Sequence, residues 1–63
     1  MYEKVAAFKQ KYPETNLKRG SLIAIFEMNR YEKADKMDEY LLFLLHIGVI
    51  SKPEFYELKE MLK

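Results

Sequence analysis

The side chains that could carry out chemistry in this 63-residue chain are few, and His46 is the only histidine. Leu45 and Ile47 flank it near the end of an apolar segment. An imidazole there can complement the dipole of a helix C-terminus, so we expect a structural role rather than acid–base catalysis. Glu39 lies seven residues earlier, but one histidine with one carboxylate makes a poor metal site.

The acidic residues Asp35, Asp38 and Glu39 could gather a cation, yet Asp35 also suits the N-cap of a helix. The chain has no cysteine, which excludes disulfides and thiolate metal sites and fits a reducing cytoplasm. It contains neither a glycine-rich phosphate loop nor a nucleophile–base set. The sequence therefore predicts a protein that is not an enzyme, with no catalytic residue, metal, cofactor or small-molecule substrate.

A basic group around the segment "KQKYPETNLKRG" is the second candidate site. Its members are Lys9, Lys11, Lys18 and Arg19, with Tyr12 placed between them where it could stack on a base. This pattern supports an alternative function, an accessory nucleic-acid-binding protein that uses residues 9–19. Such runs are more often solvated helix ends, and 11 basic against 10 acidic residues give a net charge of only +1.

Two helices are predicted for the first half of the chain. Met1, Val5, Phe8 and Tyr12 form one helical stripe, and Pro13 ends that helix. The second helix turns Leu22, Phe26 and either Ile25 or Asn29 inward. It begins at Asn16, where Thr15 or Asn16 itself can act as the cap, or at Ser21 with Gly20 as the break.

The second half predicts two more helices that form a tight hairpin. Asp35 caps the third helix, whose core stripe is Met37, Leu41, Leu44 and Leu45, and Gly48 takes the left-handed position that ends it. A capping box at Ser51 and Glu54 starts the fourth helix, which turns Phe55, Leu58 and Leu62 inward. We therefore expect an all-α fold, a compact bundle of three or four short helices in a single domain spanning residues 1–63.

The hairpin sequence resembles a known family. "LLFLLHIGVISKPEFYELKEMLK" is similar to the short C-terminal helix-turn-helix module called SHOCT over residues 41–62. The matching residues are Gly48, Val49, Ile50, Ser51, Glu54, Phe55, Lys59 and Leu62, whereas Pro53 and Tyr56 replace the charged residues usual there. The resemblance implies a bacterial or phage-type protein whose module mediates oligomerisation or macromolecular contacts, and it carries over no catalytic residues.

The stretch "YLLFLLHIGVI" at residues 40–50 is apolar on every side of a helix. Either the third helix is buried all round in the core, or part of it stays uncovered until a partner docks. The second alternative makes this a protein–protein interaction module, a regulator or stoichiometric inhibitor that can form a homodimer. Its candidate interface residues are Phe26, Leu42 and Phe43, with Tyr31 and Tyr56 as aromatic contacts.

The same stretch is too short to cross a bilayer, and the first residues lack the apolar region of a signal peptide. We therefore expect a cytoplasmic protein with a protein partner, or with itself as partner, and no membrane contact.

Overall fold

The computed structural model describes residues 2–63, which form four α-helices and no β-strand. The helices are α1 (Glu3–Lys11), α2 (Arg19–Met28), α3 (Ala34–His46) and α4 (Lys52–Met61). The radius of gyration is 10.6 Å, which is the value expected, about 10.6 Å, for a compact chain of this length. The all-α prediction is confirmed.

The apolar stripe predicted for α1 is confirmed for the residues that the structure describes, and Met1 lies outside them. Val5 and Phe8 are buried, and the half-buried Tyr12 ring tilts against Phe8 with 5.1 Å between centroids. The Tyr12 N–H donates to the Phe8 carbonyl as the last bond of the helix. Pro13 follows and ends the helix, as predicted.

The predicted start of α2 is wrong in both of its forms. The helix begins at Arg19, with the Lys18 backbone as N-cap and no side-chain cap. The Thr15 hydroxyl accepts the Leu17 N–H at 3.2 Å and closes a turn instead of capping the helix. Leu17, two residues before the helix begins, is 5% exposed and belongs to the core.

The predicted capping role of Asp35 is also wrong. Lys33 occupies the N-cap of α3, so Asp35 lies inside the first turn, where its Oδ1 accepts the Lys36 N–H at 2.9 Å. It remains close to the positive end of the helix dipole. The predicted core stripe is confirmed, because Met37, Leu41 and Leu44 are buried and Leu45 is half-buried beside them.

The turn between α3 and α4 is the Schellman motif that the glycine predicts. Gly48 has φ +82°, its N–H donates to the Leu45 carbonyl at 3.1 Å, and the Val49 N–H donates to Leu44 at 2.9 Å. These two bonds satisfy carbonyls that the helix leaves free at its end. The chain then reverses, and Ile50 is buried under the turn.

The predicted capping box starts α4. The Ser51 N–H donates to Glu54 Oε1 at 2.8 Å, and the Glu54 N–H donates back to the Ser51 hydroxyl oxygen at 3.4 Å. Phe55 and Leu58 then face the core, as predicted, and Leu62 is half-buried. α4 packs most extensively on α3, which gives the expected helical hairpin.

The core draws on all four helices and on the turns between them. The buried apolar residues are Val5, Phe8, Leu17, Leu22, Ile25, Met37, Leu41, Leu44, Ile50, Phe55 and Leu58. Polar contacts at the rim join the two ends of the chain, where Lys11 Nζ lies 2.7 Å from Glu57 Oε1 and Lys4 Nζ donates to the Met61 carbonyl. The Asn29 amide donates to the Leu62 carbonyl at 3.0 Å and ties α2 to the end of α4.

Candidate interaction surface

The outward face of α3 carries large apolar side chains that the bundle leaves uncovered. Leu42 is 52% exposed, Phe43 is 57% exposed and Ile47 is 52% exposed. Their inward neighbours Leu41 and Leu44 are buried. The rest of the chain therefore covers only one side of α3, and an apolar surface faces solvent on the other.

These three residues, here called the α3 patch, are all exposed on α3 or, for Ile47, at the residue that caps its end. Phe43 and Ile47 are four residues apart and Leu42 adjoins Phe43, so their side chains emerge within about two turns of helix. An aromatic side chain presents about 150–250 Å² and a leucine or isoleucine less, so these three at half exposure give at most on the order of 300 Å². Uncovered apolar areas of this size on a small protein are often functional.

Polar residues border the α3 patch along the same helix. Glu39 is exposed and lies one turn before Phe43, and His46 is exposed and lies one turn after Leu42. Asp35 and Lys36 are exposed in the first turn. An apolar centre with a polar rim is the usual layout of a protein–protein interface.

The other predicted interface residues lie elsewhere on the bundle. Tyr31 is 82% exposed in the turn between α2 and α3, and Tyr56 is 63% exposed on α4, where its ring meets Phe55 edge-on at 5.3 Å. Phe26 is half-buried and packs against the core, so it offers less surface than the others.

Sequence reasoning did not single out Ile47 as an interface residue. Its spacing of four from Phe43 is the signal that could have identified it. Met28, at the end of α2, is a further exposed apolar side chain at 38%.

The basic group is partly engaged in contacts within the fold. Lys11 pairs with Glu57 at 2.7 Å, and this hydrogen bond raises the pKa of the Lys11 ammonium. The Arg19 guanidinium lies over the Tyr2 ring, 5.5 Å from its centroid. Lys18 is exposed and Lys9 is half-buried.

Tyr12, the aromatic residue expected to stack on a base, is also held by the fold. Its ring packs on Phe8, and its hydroxyl reaches toward the Pro53 carbonyl at 3.4 Å. Base stacking would require an open ring face, and the contact with Phe8 takes up part of it.

The side chains that could bind a metal ion or a small ligand do not lie together in one site. Across residues 2–63, no group of three or more His, Cys, Asp or Glu side chains is placed to hold a metal ion. A groove of about 300 Å³ lies where the ends of α2 and α4 meet the start of α3. Asp38, Lys59 and Lys63 line it with both signs of charge, beside the apolar side chains of Met37, Leu41 and Leu62.

None of the helices in the described part of the chain has the length and apolar character needed to span a membrane. The comparisons with protein-family models, characterised proteins and solved structures gave no significant match to this chain.

Proposed function

We propose that this protein is a small, non-enzymatic interaction module of the cytoplasm, a regulator or stoichiometric inhibitor that docks on protein through the α3 patch. The half exposure of Leu42, Phe43 and Ile47 on one helix face supports this proposal. A helix that buries one apolar stripe typically carries polar residues on its opposite face.

The size of the α3 patch suits reversible binding. Burying it on each of two partners at about 25 cal/mol per Å² contributes on the order of 15 kcal/mol in total. Association costs about 4–15 kcal/mol before the ordering of side chains is counted. The difference lies between about 0 and 11 kcal/mol before the cost of ordering side chains is subtracted, so area alone does not fix the affinity, and we expect a reversible complex.

Self-association is the simplest form of this docking, because two-fold dimers are the commonest oligomers. The resemblance of residues 41–62 to the SHOCT module is in line with the same function, since that resemblance implies oligomerisation or macromolecular contacts. The structure of the turn is compatible with the motif, because Gly48 adopts positive φ and Ser51 with Glu54 forms a capping box.

Nucleic-acid binding through residues 9–19 is the weaker proposal. Lys11 is paired with Glu57 and the Tyr12 ring packs on Phe8, which leaves Lys18 and Arg19 as its main support. Binding of a single-stranded oligonucleotide that weakens steeply with salt, and that Lys18→Glu with Arg19→Glu abolishes, would favour this alternative.

Sedimentation equilibrium from low micromolar to near-millimolar protein tests the proposed function. The samples are the wild-type chain, Leu42→Glu, Phe43→Glu and the control Ala7→Glu, which adds the same charge at an exposed position of α1. We expect the wild type and the control to dimerise with rising concentration, and both patch variants to remain folded monomers by circular dichroism. A dimer that survives both patch substitutions would show that docking uses another surface.

A further inference from the structure

We infer that the occupant of the α3 patch is a second copy of this chain, docked with its α3 antiparallel, so that Glu39 of each copy faces His46 of the other. This inference rests on the proposed function and adds the partner and the geometry. It follows from the order of residues along the exposed face of α3.

Glu39 and His46 lie on one line along α3. They are seven residues apart, which at about 100° per residue places them within roughly 20° of each other around the helix. Both are exposed, and a rise of about 1.5 Å per residue separates them by roughly 10 Å along the axis. Leu42 and Phe43 lie halfway between them, so the exposed face has an acidic end, an apolar centre and an imidazole end.

A two-fold axis through the middle of this face places the acidic end of one copy against the imidazole end of the other. Around a midpoint between residues 42 and 43, Leu42 faces Phe43 of the other copy and Glu39 faces His46 of the other copy. Because a two-fold contact is the same in both directions, the acid–imidazole pair forms twice. Imidazole donates a hydrogen bond to a carboxylate, and its protonated form adds an ion pair.

The parallel arrangement lacks this match. It would place Glu39 against Glu39 of the other copy, and like charges in close contact are unfavourable. It would also align the two helix dipoles in the same direction, whereas antiparallel helices bring the positive end of one beside the negative end of the other. The exposed face is therefore complementary to itself in the antiparallel orientation alone.

The other charges near this face do not oppose the pairing. Asp35 and Lys36 lie side by side in the first turn of α3, so their charges offset one another. Lys52, exposed at the start of α4, follows the α3–α4 turn and adds positive charge at the His46 end. The area is below the roughly 800 Å² per partner of a standard interface, so we expect a reversible dimer.

Exchanging the charges of residues 39 and 46 tests the antiparallel orientation. His46→Glu alone should weaken dimerisation about tenfold or more at neutral pH, because the new glutamate faces Glu39 of the other copy at both ends. Glu39→Lys alone should also weaken it, because both native pairs are lost. An equimolar mixture of the two variants should associate more tightly than either one alone, since the new lysine then faces the new glutamate.

The double variant Glu39→Lys with His46→Glu should recover a homodimer at least as tight as that of the wild type. The matched control is Glu60→Lys, the same charge change at an exposed position of α4, and it should leave the dimer unchanged. Circular dichroism and thermal unfolding establish that each variant is folded before its association is measured.

The outcomes separate this inference from the proposed function. If Leu42→Glu abolishes the dimer but neither the mixture nor the double variant improves on the single variants, the antiparallel pairing is overturned and docking through the α3 patch stands. If the dimer survives both Leu42→Glu and Phe43→Glu, the proposed function itself fails. A wild-type chain that stays monomeric near millimolar concentration overturns the assignment of a second copy.

Discussion

Glu54 is the one charged residue among the buried side chains of the described chain, with 8% exposure. Burial raises the pKa of its carboxyl, while the nearby Thr15 hydroxyl and the Ser51 N–H and hydroxyl lower it, and the net pKa is below the ordinary 4.5. Oε1 accepts both Ser51 bonds at 2.8 Å, whereas Oε2 meets no hydrogen-bond donor among the described residues in good geometry. The hydrogen bonds of this carboxylate therefore lie within the first turn of α4.

The lowered pKa of Glu54 makes the stability of the fold depend on pH. A carboxyl whose pKa is lower in the folded state stabilises the fold above the unfolded-state value of about 4.5, and this contribution is lost as the pH falls through the folded-state value. We therefore expect Glu54→Gln to cost on the order of 1 kcal/mol at pH 7 and to lose less stability than the wild type on acidification.

Urea unfolding from pH 7 to pH 3 measures the dependence of stability on Glu54. Glu60→Gln, at an exposed position that pairs with Lys63, is the matched control and should follow the wild-type profile closely. Identical acid profiles for the wild type and Glu54→Gln would contradict the assigned role of the buried carboxylate.

At the level of elements, the α3–α4 hairpin is the most strongly determined part of the chain. A positive-φ glycine ends α3, and a capping box with Pro53 in the first turn starts α4 only three residues later. Each signal acts through hydrogen bonds between residues close in sequence. The conformation of the turn therefore depends little on contacts with residues far away in the sequence.

The two glycines should respond in opposite directions to the same substitution. Gly48→Ala places a Cβ at φ +82° and should destabilise the fold by about 1 kcal/mol. Gly20→Ala lies in the first turn of α2 with open space around the new Cβ, and should stabilise it by up to about 1 kcal/mol. Chemical denaturation measures the change in the free energy of unfolding for each variant. A change of the same sign at both positions would contradict the explanation by backbone conformation.

At the level of the whole molecule, the other three short helices are too few to surround α3. Small domains bury only about 60% of the surface of their unfolded chain. The core uses Leu41 and Leu44, and no element of the described chain covers Leu42 and Phe43. Neighbouring leucines of one helix therefore have different roles.

We expect Leu41→Ala to destabilise the fold by about 2–5 kcal/mol, because Leu41 has no exposed surface. A domain of this length has only about 3–9 kcal/mol of total stability, so the variant should be near its unfolding limit. Leu42→Ala should change the stability of the monomer by less than about 0.5 kcal/mol. Thermal unfolding at low micromolar concentration compares the stabilities of the two variants. Equal losses of stability would show that Leu42 is part of the core.

Much of the fold could be predicted from the sequence. The spacing of Val5 with Phe8, of Met37 with Leu41 and of Phe55 with Leu58 marked buried helix faces, because side chains three or four residues apart share one side of a helix. Gly48 and the Ser51–Glu54 box marked the hairpin, because these motifs complete their hydrogen bonds within a few residues. Such local signals are contained in the sequence whatever the rest of the chain does.

Only the tertiary structure decided the remaining points. Local capping signals pointed to Asn16 or Ser21 as the start of α2, whereas the helix begins at Arg19, directly after a segment that buries Leu17 in a core built by distant residues. α3 is apolar on every side, and periodicity cannot assign an inner face to such a helix. The number of neighbours that the bundle places around α3 determined that Leu41 is buried and that Leu42 and Phe43 are exposed.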